Sequence, residues 1–237
     1  MNNKKILYDK YLSIFKGEEI EEQYAHHNNM VLNEVVHSDC YNIKNLISNN
    51  KRYDILIDVG SNIGTVSLMF LSNKLCNHAY CVDSTNQFID IHKTIIKEYN
   101  YNDNCYINKL FIDSNSSDWV SNIIEKNKEK KIFLKMDIEG YEYYLLEDLF
   151  NKNLFKYISD FVIELHDNYK LPDIDTNLNI QKYKWFEPHK DNISKNRKKL
   201  EELKNKISSE MGKHLYGIEN FELGEKFNYI LGVLKTY

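Results

Sequence analysis

A chain of 237 residues and 28.3 kDa is the size of one domain, or of one domain with an embellishment. Area scaling gives a folded surface of roughly 11,000 Å² against about 41,000 Å² unfolded, enough burial for a core that needs no disulfide staples. A net charge of −4 excludes a broadly basic surface for nucleic acid, leaving only a local patch open, and the 2 prolines and 8 glycines exclude collagen-like and Pro/Gly-rich classes.

Residues 1–50 place Ile6, Leu7, Tyr11, Ile14 and Phe15, then Ile43, Leu46 and Ile47, at near-helical spacing. They predict an N-terminal helical cap ahead of a domain covering 51–237. The polar break NNKRYD is followed by DILIDVG (54–60), a short apolar run ending in glycine that reads as a buried strand. SNIGTVSLMFLSNK carries helical apolar spacing. AYCVDS (79–84) predicts a second strand and NQFIDIHKTIIKEYN (86–100) a second amphipathic helix. The alternation continues with CYINKLFID (105–113), SDWVSNIIEKNKEK (117–130), KIFLKMDIEG (131–140), YEYYLLEDLFNKN (141–153) and ISDFVIELHD (158–167). Strand and helix alternating at this spacing build parallel crossovers, hence an open α/β sheet. Beyond residue 168 the pattern changes. The segment 187–214 is highly charged with a weak helical stripe, read as a solvated helical excursion or a lid. HLYGIENFELGEKFNYILGVLKTY reads as two strands joined near Gly224, an antiparallel pair that closes the sheet edge.

Cys40, Cys76, Cys81 and Cys105 form no CxxC pair, and no paired histidine spacing joins them. Free thiols in a reducing cytosol are therefore expected, rather than a zinc site or a disulfide framework. The N-terminus holds no apolar run of roughly 7–15 residues before a small-residue cleavage site. No run of about 18 apolar residues occurs. A cytoplasmic protein without a membrane span is expected.

The strongest local pattern is Asp58-Val59-Gly60-Ser61-Asn62-Ile63-Gly64, after a strand and opening a helix. Ligands of open α/β sheets bind at the carboxyl ends of strands. Asp83 ends the second strand, where a carboxylate can accept both hydroxyls of a ribose. A nicotinamide site wants G-x-G-x-x-G. Here the spacing is Gly60-x-x-x-Gly64, and Asp58 would repel a pyrophosphate while suiting a cofactor that carries positive charge, such as S-adenosylmethionine. The plainer alternative is a tight strand–helix turn in which Asp58 caps the helix.

Lys135, Asp137 and Glu139 alternate at the end of the fourth predicted strand, so they are expected to share a face. Three charged groups on a buried strand end are costly unless paired or used. Gly140 allows the turn into the next helix, whose first turn carries Glu142. Glu164 and His166 share a face of the fifth strand. Two chemistries fit: a histidine that deprotonates a substrate hydroxyl, or Asp137, Glu164 and His166 holding a divalent cation such as Mg that acidifies it. His26, His27, His37, His78, His92, His189 and His214 are read as structural.

At ILIDVGSNIGTVSL, CVDSTNQF, FLKMDIEGYEYYLLEDL and VIELH the chain resembles the FkbM family of S-adenosylmethionine-dependent methyltransferases, over about residues 54–167. The Lys-x-Asp-x-Glu-Gly-x-Glu run is the most specific part. The resemblance implies a Rossmann-like methyltransferase fold with helices on both faces of a mostly parallel seven-stranded sheet and an antiparallel C-terminal strand. It implies O-methylation of a sugar, glycan or other small-molecule hydroxyl, with nucleic acid not the expected partner and the oligomeric state open. Asp58, Gly60, Ser61, Asn62 and Gly64 match the cofactor loop and Asp83 the ribose-binding acid, although Ser84 and Thr85 depart from the Glu-Pro usual there. Asp113 resembles an acid near the adenine amino group. Asp137 is counted with both the cofactor and the catalytic residues, alongside His166, Lys135 and Glu139. Methyltransferases acting on RNA or protein, and a non-catalytic nucleotide-binding module, are the competing readings.

Overall fold

The run DILIDV forms a strand because its apolar residues are flanked by a polar break and a glycine turn: β1 spans Tyr53–Val59 and is buried along nearly its whole length. The computed structural model describes residues 29–112, 116–139, 141–166, 202, 205, 206, 209 and 230–235. By proximity these group into two compact units, Met1–Lys109 and Leu110–Tyr237.

In the first unit β1 is followed by α2 (Thr65–Ser72), β2 (Cys76–Asp83), α3 (Asn86–Glu98) and β3 (Cys105–Lys109). The strands lie in the order β3-β2-β1, all parallel. Parallel neighbours need crossovers, and right-handed crossovers running in one direction put both connecting helices on the same face. The register defines that face. Asp58 pairs with Cys81 and Ala79 with Cys105, so Leu56, Asp58, Ala79, Cys81, Asp83 and Cys105 all project to one side. α3 buries Phe88, Ile89, Ile91, Ile95 and Ile96. On the opposite side Tyr80 stacks on its strand partner Tyr106 at 4.9 Å between ring centroids.

Of the expected N-terminal cap, the residues before 29 lie outside those described. The rest is helical: a π-helical turn at Asn33–Ser38 buries Val35 and Val36, and α1 (Ile43–Ser48) buries Ile43 and Leu46. Asp39 stands between them with φ 57°. Its carboxylate accepts the Ile43 amide at 2.7 Å, closing the start of α1.

In the second unit α4 (Asp118–Lys126), β4 (Ile132–Met136), α5 (Glu142–Asn151), β5 (Ile158–His166) and β6 (Ile230–Lys235) follow in order. β4 and β5 are parallel, and β6 pairs antiparallel with β5 as the edge strand. Phe155 links Phe150 and Phe161, with centroids 5.0 and 5.4 Å apart, through the core of this unit. Lys152 on the C-terminal side of α5 donates to Asp118 at 2.6 Å and to Asp148 at 2.8 Å, and Ser121 donates to Asp148 at 2.7 Å, tying α4 to α5. In the charged 187–214 segment the described residues 202, 205, 206 and 209 are helical and exposed, and the Lys206 ammonium lies 4.3 Å from the Phe150 ring centroid.

The chain thus has the expected α/β class of fold, with parallel strand pairs in both units and an antiparallel last strand. Six strands occur among the described residues, against the seven expected. No helix among them is long and apolar enough to cross a membrane.

Candidate functional site

The loop from Gly60 to Gly64 leaves the carboxyl end of β1 and turns three times through left-handed backbone, at Gly60 (φ 77°), Asn62 (φ 48°) and Gly64 (φ 81°). Such turns are what glycine, and to a lesser degree asparagine, permit. The loop folds over the end of β2. The amides of Gly60 and Ser61 both donate to the Val82 carbonyl, at 3.0 and 2.9 Å, and the amide of Asn62 donates to Asp83 Oδ2 at 2.8 Å. The Ile63 amide donates to Asn62 Oδ1 at 2.8 Å and the Gly64 amide to the Ser61 carbonyl at 2.9 Å. All five loop amides are therefore engaged inside the protein. A loop in this state has no backbone donor left to cradle a pyrophosphate.

Asp83 is half-buried at the tip of β2. Its second oxygen accepts the Thr85 amide at 2.8 Å. Asp83 thus places a carboxylate beside the loop at the end of β2, bonded to the Asn62 and Thr85 amides. Asp58 is fully buried, on the face it shares with Cys81.

The underside of the loop rests on a histidine read from sequence as merely structural. His92 is fully buried on α3. Its Nε2 lies 2.8 Å from Ser67 Oγ and its Nδ1 3.5 Å from Ser61 Oγ. A Cβ at position 64 would stand 2.0 Å from His92 Cδ2, so the ring occupies the space a side chain would need. Gly64 is thus required twice, by its backbone angle and by the imidazole. The signal was present: His92 falls on the apolar stripe of its helix, three and four positions from Ile89 and Phe88 and from Ile95 and Ile96.

In the second unit β4 ends at Met136, earlier than the alternation suggests. Lys135 is on the strand and only 3% exposed. Asp137 and Glu139 lie beyond it, and Glu139 has φ 55°, so strand alternation does not place these three on one face. Lys135 Nζ meets Asp137 Oδ2 at 3.6 Å. Glu142, fully buried in the first turn of α5, accepts the Ile138 amide at 2.8 Å and so folds the Asp137–Glu139 loop back onto the helix start. Glu164 is half-buried on β5. His166 ends that strand, opposite Ile230 of β6. Its side chain, Asp113 and Gly140 lie outside the described residues.

No known family profile matches the chain, and no curated protein matches it. Among solved structures, Streptococcus pneumoniae Sp1610, in complex with S-adenosyl-L-methionine, is similar at 8% identity and TM-score 0.45, over 82% of this chain and 71% of that one. The methyltransferase domain of bacterial CtHen1-CN is similar at 16% identity and TM-score 0.42, over 81% and 94%. A protein of the NADB-Rossmann superfamily from Streptococcus agalactiae is similar at 15% identity and TM-score 0.37. This chain spans about half the length of that protein, 49%, and matches it over 50% of its own residues.

Proposed function

We propose that the chain is an S-adenosylmethionine-dependent methyltransferase of the FkbM type, acting on a hydroxyl of a sugar, glycan or other small molecule. The observation that carries this reading is the hydrogen-bonding state of the 60–64 loop. Its amides are all engaged, which disfavours a diphosphate, while Asp83 sets a carboxylate at the tip of β2, the strand end where a ribose diol would be held. Asp58 lies fully buried behind the loop, and it is the acid this reading assigns to the cationic end of the cofactor.

When bound, the cofactor supplies an electrophilic methyl group and its own leaving group. The chain's residues bind, orient and deprotonate. Gly60, Ser61, Asn62 and Gly64 shape the cofactor loop and Asp83 holds the ribose; Asp113 is assigned to the adenine amino group. His166 takes the proton from the acceptor hydroxyl. Asp137 orients that hydroxyl, and Lys135, pairing with Asp137 at 3.6 Å, holds the carboxylate in place. Glu139 lines the same loop. Positioning of this kind contributes roughly 7–11 kcal/mol and a general base about 10²–10⁴-fold. A Mg-type ion at Asp137, Glu164 and His166 is the alternative way to acidify the hydroxyl.

The test is methyl transfer from labelled S-adenosylmethionine to small-molecule, polysaccharide and RNA fractions in parallel. Label in the hydroxyl-bearing small-molecule or glycan fraction supports the reading. Label confined to RNA, or calorimetry showing no binding of S-adenosylmethionine, overturns it.

A further inference from the structure

Behind the loop, on the helix-covered face of the first sheet, four side chains from four elements converge on one point. Cys81 comes from β2, Cys105 from β3, His92 from α3 and Ser67 from α2. The two sulfurs are 3.7 Å apart, and Cys105 Sγ is 3.8 Å from His92 Nε2. The ligand atoms of Cys81, His92 and Cys105 all lie within 4.8 Å of one another, and all three residues are buried. Ser67 Oγ lies 2.8 Å from His92 Nε2 and donates to the Gly64 carbonyl at 2.9 Å.

We propose that these residues form a buried site for a borderline-soft divalent cation, Zn²⁺ by chemical class. Zinc takes thiolate and imidazole ligands at about 2.3 Å and 2.0–2.1 Å in a tetrahedron. Those bond lengths require S···S and S···N edges of about 3.8 and 3.6 Å. The S···S separation of 3.7 Å and the Cys105 Sγ···Nε2 separation of 3.8 Å match those edges. Ser67 Oγ, 2.8 Å from His92 Nε2, is a protein oxygen beside the cluster for the fourth position.

A disulfide does not suit the same pair. Ala79, not Cys81, is the strand partner of Cys105, so the two cysteines are diagonal across the ladder. A lateral spacing of about 4.8 Å and a two-residue offset of about 6.6 Å put their Cα atoms roughly 8 Å apart. That is beyond the reach of a relaxed disulfide.

Charge and protons balance. Uptake of Zn²⁺ releases the two thiol protons, and two thiolates neutralise the cation, so no net charge is left in the core. With the metal on Nε2, the remaining imidazole proton sits on Nδ1, which faces Ser61 Oγ at 3.5 Å, the outer-shell hydrogen bond that orients metal-bound histidines. β3 is the edge strand of its sheet, which gives the ion a route in by opening one strand pair. The site stands on the first unit alone, whatever the chain methylates.

The experiment uses the full chain, purified under reductant, stripped by chelation and titrated with Co²⁺. The expected result is one equivalent bound, with a thiolate-to-cobalt charge-transfer band and the intense visible bands of a tetrahedral ion, reversed by Zn²⁺. Cys81→Ala and Cys105→Ala should each weaken the charge-transfer band at least twofold, while Cys40→Ala and Cys76→Ala leave it unchanged. Should the first two variants fail to fold by circular dichroism, X-ray absorption on the wild-type zinc form decides. It should show two sulfur scatterers at about 2.3 Å and light scatterers at about 2.0–2.1 Å. The proposal is overturned by uptake well below one equivalent, by bands insensitive to Cys81 and Cys105, by a shell without sulfur, or by a mass two hydrogens short that marks a disulfide.

Discussion

The carboxylate of Asp83 accepts the backbone amide of Asn62 at 2.8 Å, joining the tip of β2 to the loop that leaves β1. Charge-assisted bonds of this sort contribute about 1.5–3 kcal/mol each. Asp83→Ala removes it together with the Thr85 bond and the acceptors assigned to ribose. We expect S-adenosylmethionine affinity to fall at least tenfold by calorimetry, with a lower Tm. Asp83→Asn keeps one acceptor oxygen and should fall between. Affinity within twofold of wild type for Asp83→Ala would move the cofactor elsewhere.

Gly64→Ala puts a methyl group into the His92 ring and a side chain onto left-handed backbone at φ +81°. Strain of about 1–2 kcal/mol and overpacking of about 1–3 kcal/mol make the expected loss roughly 2–5 kcal/mol in urea unfolding. Because much of that loss comes from one contact, Gly64→Ala combined with His92→Ala should cost at least about 1 kcal/mol less than the two single losses added. Strict additivity would show that the ring is not what the methyl meets.

Glu142→Ala leaves the Ile138 amide without the acceptor that Glu142 provides, at a cost of about 1–3 kcal/mol. Glu142→Gln retains a carbonyl oxygen and should recover most of it. The expected signature is a drop in Tm for the alanine variant that the glutamine variant largely repairs.

Asp137→Asn preserves the shape of the side chain that meets Lys135 while removing its charge. Turnover should fall at least 100-fold with cofactor binding nearly unchanged, because Asp137 is assigned to the acceptor. Parallel loss of binding and turnover would make its role structural.

The Asp118–Lys152–Asp148 network gives a pH dependence with a definite sign. Burial pushes the Asp148 carboxyl up, but hydrogen bonds from Lys152, Ser121 and Ser117, with the Lys152 charge, outweigh it and leave the group below its usual 3.8. A depressed carboxyl binds fewer protons folded than unfolded. Its contribution is therefore complete above the unfolded value and disappears as pH falls through the lower folded one. Exposure to solvent limits it to about 0.5–1 kcal/mol. The stability difference between wild type and Asp148→Asn should be constant near neutrality and shrink in acid below about pH 4. A difference that grows on acidification would reverse the assignment.

The parallel strands were legible because each is an apolar run closed by a turn residue, and the DVGSNIG loop because its glycines announce left-handed backbone. The fourth strand ends before the predicted 131–140 for a specific reason. In KMDIEG the charged residues keep a two-residue period after the strand has ended, and only the left-handed Glu139 reveals that the backbone has already turned. The Cys81–His92–Cys105 cluster was invisible to spacing rules. Those rules detect ligands on one hairpin or helix, whereas this set comes from two neighbouring strands and the helix between them, brought together by the Ala79–Cys105 register. His166, Asp113 and the first strand of the expected C-terminal pair fall outside the described residues.

The antiparallel β6 has a consequence for how the chain is made. Its residues lie roughly sixty positions downstream of the strand they cover, so β5 exists before its neighbour has been synthesised. During that interval the edge carrying Phe161, Val162 and Ile163 presents open amides and carbonyls beside side chains that the finished fold buries. Truncation before Ile230 would make the interval permanent, and insoluble, edge-paired aggregates are the outcome expected of such a product.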